Sequence, residues 1–164
     1  MSNQASTPLS SLRGVGPAIA EALARLSLRT LADLWFHLPL RYEDRTRITT
    51  IRDARIGENV QVEAVVDAVE RGFRFRPLLR VTVSDESRVS LSLRFFHFSK
   101  TQAEGFTPGA RFRIYGELRE STSGLEIVHP RYQRVQADTP LETALTPVYP
   151  ATEGLGQATL IRLA

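Results

Sequence analysis

The stretch "RVSLSLRFFHFSK", Arg88 to Lys100, repeats with a period of two. Val89, Leu91, Leu93 and Phe95 fall on one side of an extended chain. Ser90, Ser92, Arg94 and Phe96 fall on the other, which is the pattern of a half-buried strand. The alternation is clean until Phe96, where a large aromatic lands on the polar side beside an arginine. Phe98 continues that polar-side series, while His97 falls on the core side and reads as a structural hydrogen-bonder.

The same period governs the chain around this strand. Val60, Val62, Ala64 and Val66 alternate with polar residues, as do Leu79, Val81 and Val83. Phe112, Ile114 and Leu118 follow, and then Leu125 and Ile127 flanking Glu126. Five strands are predicted between residues 59 and 135, separated by the turn-forming stretches "RGFRFRP", "SDES", "GFTPG" and "STSG". Residues 99–108, between the third and fourth, have room for a turn of helix. The expected fold is mainly β, a five-stranded Greek-key barrel of the OB type, in which strands 2–3 and the loops after strands 1 and 4 often bind oligonucleotides.

Residues 1–8 are polar and read as a mobile start. Residues 9–58 read as a helical segment and a charge-rich connection. In "PAIAEALARL", Ile19, Leu23 and Leu26 recur at helical spacing behind Pro17, a first-turn proline. "TLADLWFHL" offers Thr30 as an N-cap with Asp33 three residues on. Residues 136–164 read as an extended linker that ends in the opening of a helix, "QATLIRLA".

At 164 residues, with 42% hydrophobic and 24% charged, the chain can support one good core. No apolar run is long enough to span a membrane. "MSNQASTPLSS" lacks the basic and apolar regions of a secretory signal. With no cysteine and three scattered histidines, His37, His97 and His129, neither thiol chemistry nor a metal site is expected. There is no phosphate-binding loop, no nucleophile elbow and no zinc-protease motif, so no catalytic residue is predicted.

The net charge of +3 is uneven: residues 71–134 carry 12 basic and 6 acidic side chains. All the basic ones except Lys100 are arginine, the residue suited to bidentate phosphate contact and to stacking on planar groups. On the face opposite the predicted core lie Arg80, Arg94, Phe96, Arg113 and Tyr115. Phe73, Arg74 and Arg76 stand in the loop "RGFRFR", and Lys100 follows the third strand. Arginine for phosphates and aromatic rings for bases are what single-stranded nucleic acid requires. The alternative is that the protein's own helices or residues 136–164 cover Phe96. In "LRGVGPAIAEAL", Gly14, Val15 and Gly16 stand directly before a helix, as in a helix-hairpin-helix turn. That turn serves either close packing or phosphate contact.

Taken in order, "LRGVGP", "DLWFHLPLRYEDRT", "LRFFHFS", "IVHPRY" and "LTPVYPATEGLGQ" resemble the N-terminal part of the RecG family, ATP-dependent branched-DNA helicases of bacteria. The resemblance runs from about Leu9 to the last residue. It implies an OB-fold wedge domain that binds replication forks and Holliday junctions and separates strands at the branch point during fork reversal and recombinational repair. It implies two motor domains beyond this chain, which use ATP and Mg, so that the chain is about the first quarter of its parent. By motif match Phe96 is the aromatic that stacks on the branch-point base, Phe98 is a second platform, and Lys100 is a phosphate contact. A cytoplasmic, nucleoid-associated monomer without a membrane partner is expected, and no cofactor in this chain. Two other readings stand beside it, a general single-stranded DNA or RNA module and a protein-interaction barrel with Phe96 as anchor.

Overall fold

The structure is a computed structural model that describes residues 4–72 and 75–164. Two short 3-10 turns, Gln4–Ser6 and Leu9–Ser11, precede α1 (Pro17–Arg25), α2 (Leu31–Trp35) and β1 (Arg41–Glu43). The main strands follow: β2 (Asn59–Gly72), β3 (Leu78–Ser84) and β4 (Ser90–Phe95). After α3 (Lys100–Gly105) come β5 (Arg111–Glu117), β6 (Arg119–Ser121), β7 (Gly124–Val128) and β8 (Arg131–Arg134). β9 (Thr146–Val148) and α4 (Gln157–Leu163) complete the chain. No described helix is long and apolar enough to cross a membrane.

Contacts divide the chain into two compact units: residues 45–143, and residues 1–44 together with 144–164. In the larger unit seven strands form one sheet in the order β6-β7-β4-β3-β2-β5-β8. The long β2 organises it, pairing with β5 through residues 59–65 and with β3 through residues 65–72. The handover is marked by a register shift between Val66 and Ala68, a bulge that bends the strand and increases its twist. All pairings are antiparallel except that of β4 with β7, which runs parallel with Arg94 opposite Val128.

The five predicted strands are all present, as β2, β3, β4, β5 and β7. The alternation worked because one face of each is buried. Leu79 pairs with Phe95, Val81 with Leu93 and Val83 with Leu91, all six buried. Val62 opposite Ile114 and Ala64 opposite Phe112 extend the core across β5. The predicted helical turn is α3, capped by Ser99, whose hydroxyl accepts from the Gln102 amide at 3.1 Å. Behind it Phe106 is buried against Phe95, Phe112 and Tyr132, with ring centroids 4.7 to 5.7 Å away. Burial raises the Tyr132 phenol above its ordinary value, although the Gln102 hydrogen bond works against the shift.

The expected closed barrel is not found. Among the described residues no ladder joins edge strand β6 to edge strand β8, so the sheet is open. β5 and β7 do approach at one point: a Cβ on Gly116 would lie 2.5 Å from Ile127 Cγ2 and 3.6 Å from Pro130 Cα. A side chain fits at no cost only where there is room, so this contact needs glycine. The strands β1, β6, β8 and β9 were not predicted. Each has only three or four residues, too few for a period to register.

In the smaller unit β1 pairs with β9, Tyr42 opposite Pro147. A separate core gathers Leu9, Val15, Ala22, Leu23, Leu28, Leu34, Leu155 and Leu160. The Thr30–Asp33 cap forms as predicted. The Asp33 carboxylate accepts from the Thr30 and Arg29 amides at 2.8 and 2.9 Å, and the Asp33 amide donates to Thr30 Oγ1. The Arg29 amide, then the Thr30 amide and hydroxyl, hold that carboxylate below its ordinary range. A helix-hairpin-helix is not confirmed: α2 has only five residues. Gly14 sits at φ +87°, a conformation glycine adopts without penalty, and a Cβ there would stand 3.4 Å from the Arg162 guanidinium. Val15 is buried and its amide donates to Leu12 O at 3.1 Å, so it has no donor left for a phosphate. Gly16 is the N-cap of α1 and faces open space.

Candidate nucleic-acid interface

Phe96 lies one residue beyond the end of β4, in a bend, with 36% of its surface exposed. It is not entombed. The Arg94 guanidinium stands over the ring at 5.3 Å from its centroid, a cation–π arrangement. Phe96 and His97 line a recess of about 500 Å³ together with Arg76 and Pro77 from the loop entering β3 and Leu78 at its start. The recess therefore brings together an aromatic face, an apolar floor and an exposed guanidinium.

Beyond Phe96 the period breaks, because the strand has ended. His97 is exposed rather than core-facing, and its ring stacks on His129 at 5.9 Å. Phe98 is half-buried and packs against the core of the larger unit instead of facing solvent. Without a pleat to hold alternate residues on opposite faces, the side-chain directions are set by the turn.

The predicted basic face is where the structure departs furthest from the sequence. Arg80 lies opposite Glu70 in the β2–β3 register and pairs with it at 3.8 Å. Arg94 reaches Glu126 on β7 at 3.0 Å. Arg113 lies opposite Glu63 and pairs with it at 3.1 Å, while also donating to the carbonyls of Thr139 and Pro140, both at 2.8 Å. Arg111 meets the same Glu63 at 3.2 Å. These are cross-strand pairs between residues far apart in sequence, so the arginines are largely neutralised in place. Tyr115 is half-buried under Arg45, whose guanidinium stands 5.1 Å from the ring centroid.

The sheet order also separates what the sequence grouped. Arg113 and Tyr115 on β5 lie three strands away from Arg94 on β4. They border a different cleft of about 360 Å³, lined also by Arg45, Gln61, Arg131 and Leu141. Among the remaining expected residues, Arg76 is exposed, and Lys100 opens α3 with an exposed i,i+4 contact to Glu104 at 3.7 Å, a weak and exchangeable pair. Phe73 and Arg74 lie outside the described residues.

Phe75 was missed. It is 96% exposed, next to Arg76 in the loop entering β3. The alternation of Phe and Arg through "RGFRFR" was the available signal, but in a loop no period says which ring faces outward. No cluster among the described residues has the composition to hold a metal ion.

An open, mainly antiparallel sheet, with an exposed aromatic and flanking cations where β4 ends, defines a small β module with a candidate nucleic-acid recess. The family model for the RecG wedge domain matches residues 8–164, and the chain belongs to that family. It is 44% identical over 158 residues to the ATP-dependent DNA helicase RecG of Pasteurella multocida, covering 95% of this chain and 23% of that protein. It is 45% identical over 159 residues to the RecG of Escherichia coli K12, again covering 95% and 23%. The chain thus spans under a quarter of the length of these curated relatives. A solved structure of RecG bound to a three-way DNA junction superposes with a TM-score of 0.77 at 26% identity, over 96% of this chain and 22% of that one.

Proposed function

We propose that this chain is the branched-DNA-binding wedge of a RecG helicase, holding forks and four-way junctions while strands part at the branch point. The observation that carries the reading is the Phe96 recess: a solvent-reachable ring, with the Arg94 guanidinium over it, beside Arg76. A base stacked on such a ring gains about 1–3 kcal/mol, comparable to the few kcal/mol needed to unstack a step. The family relation and the junction bound by the superposed RecG support the same reading.

The roles divide by what each side chain is already doing. Phe96 stacks. Arg76 and Lys100 contact phosphates, with Phe75 as a second exposed ring and Phe73 and Arg74 beside it in sequence as further candidates. Arg94 orients Phe96, and Arg80, Arg113 and Tyr115 hold the sheet. Phosphates and ring faces carry no sequence information, so the binding is structure-specific and not sequence-specific. The related OB-type barrel, left open here, is the framework we assign to it. ATP and Mg belong in this proposal to motor domains of the longer protein, and the cytoplasmic nucleoid is its place of work as a monomer. Trp35, Phe36, Leu38 and Leu40 form an exposed apolar run, and the motor part of the relatives' chain is the partner we assign to it.

The test is competition binding of the chain to a fork, a four-way junction, single strand and linear duplex. Phe96→Ala should weaken fork binding by about 1–3 kcal/mol and leave linear duplex nearly unchanged. An equal loss on both would overturn the reading in favour of a general single-strand module.

A further inference from the structure

We infer that His129 is the positioning residue that fixes the Phe96 platform. The inference rests on Phe96 being the stacking residue, but its geometry is independent of DNA. The Phe96 amide is the first backbone donor beyond the end of β4, and it donates to His129 Nε2 at 3.2 Å. The His129 amide in turn donates to the Arg94 carbonyl at 2.8 Å. One residue, at the end of the parallel partner strand β7, therefore grips β4 on both sides of Phe95. Its ring meets three successive side chains: edge-on to Phe95, tilted to Phe96 and stacked on His97, each with centroids 5.9 Å apart.

The backbone at His129 shows that this placement is imposed. Its φ is +47°, in the left-handed region that side-chain-bearing residues rarely occupy, and Pro130 follows, which further disfavours helical conformations before it. Strain of this kind persists only where the surroundings over-determine it, and it concentrates at working sites. An exposed amide in a bend has no need of a protein acceptor, since water would serve. Supplying one from a strained turn makes sense if the direction of the next side chain matters. His129, tilted against the ring, and Arg94 over it, itself held by Glu126, restrict the orientation of Phe96. A ring ordered before DNA arrives loses less freedom when a base stacks on it.

The bond requires the neutral ring with its proton on Nδ1. In the unmutated chain, nitrogen NMR should find His129 Nε2 unprotonated and the Phe96 amide slow to exchange, without DNA present. His129→Phe keeps the ring and removes the acceptor, whereas His129→Gln offers an oxygen at a similar reach. Both retain a Cβ, so the backbone strain is common to them. We expect His129→Phe to speed Phe96 amide exchange and weaken fork binding about three- to tenfold. His129→Gln should stay within about twofold of the unmutated chain, and His129→Phe should add no loss on a Phe96→Ala background. A proton on Nε2, unchanged Phe96 exchange in His129→Phe, or equal losses in the Phe and Gln variants would each overturn the inference. If Phe96→Ala alone leaves fork binding intact, the stacking reading fails, and the exchange measurements still decide whether His129 holds Phe96.

Discussion

The recess at the end of β4 and the cleft beside β5 are built from the same ingredients, an arginine over an aromatic ring. In the first, Arg94 lies over Phe96 and the ring remains open. In the second, Arg45 lies over Tyr115, and neighbouring Arg113 is only 10% exposed, tied to Glu63 and to two carbonyls of the 139–140 segment. The difference is position along the strand. Phe96 lies past the last ladder pair, where no further strand covers it. Tyr115 sits mid-strand, opposite Gln61 on one side and Arg131 on the other. An arginine–aromatic pair becomes a binding surface where the sheet stops, and a structural brace where it continues.

The brace beside β5 depends most on Glu63. It is 12% exposed, and removing it as Glu63→Ala would leave the Arg113 guanidinium nearly buried without its carboxylate. Losing one partner of a buried pair costs about 3–5 kcal/mol, discounted here because Arg113 keeps the Thr139 and Pro140 carbonyls as acceptors. A loss of about 3 kcal/mol in urea denaturation is expected, with the ratio of fork to duplex affinity unchanged. A changed ratio would mean that the β5 cleft also binds branched DNA.

Next in size is Phe96→Ala, with about 1–3 kcal/mol lost on forks and little change in melting temperature. Phe75→Ala tests the loop that enters β3. If the loop ring is a second platform, fork affinity should fall by about 1 kcal/mol, whereas Tyr115→Ala should leave the fork preference intact in parallel titrations. Smaller still is Thr30→Ala, which removes the α2 cap at a cost of about 1 kcal/mol in stability, read by thermal melting, and should not touch DNA binding.

The pH dependence of the same cap has a definite sign. The folded state holds the Asp33 carboxyl below its ordinary value, so its contribution to stability is complete above the unfolded value of 3.8. It disappears as pH falls through the lower folded value. Thermal melts between about pH 5 and pH 2 should therefore show Asp33→Asn losing less stability with acidification than the unmutated chain.

How much of this was legible can be judged residue by residue. The β4 stretch gave its strand, its buried side and the anomaly at Phe96, because alternation is a local property of a pleated chain. His97 and Phe98 were placed on the wrong sides, because alternation was extended one turn too far. The role of "IVHPRY" was not legible at all: nothing in the order of residues says that His129 reaches Phe96, 33 positions away. The excess of arginine between residues 71 and 134 was visible, but its compensation was not. Glu63, Glu70 and Glu126 become neighbours of Arg113, Arg80 and Arg94 only through strand pairing.

By itself, then, the sequence determined the β periodicity, the missing catalytic motifs, the Thr30–Asp33 cap and the odd phenylalanine, all of which depend on residues within a few positions of one another. Tertiary structure alone decided which cations remain available, that the sheet stays open, and that a strained histidine grips the strand beneath the aromatic ring. Those outcomes depend on register between distant segments. A shift of one residue in that register would turn every paired arginine to the other face.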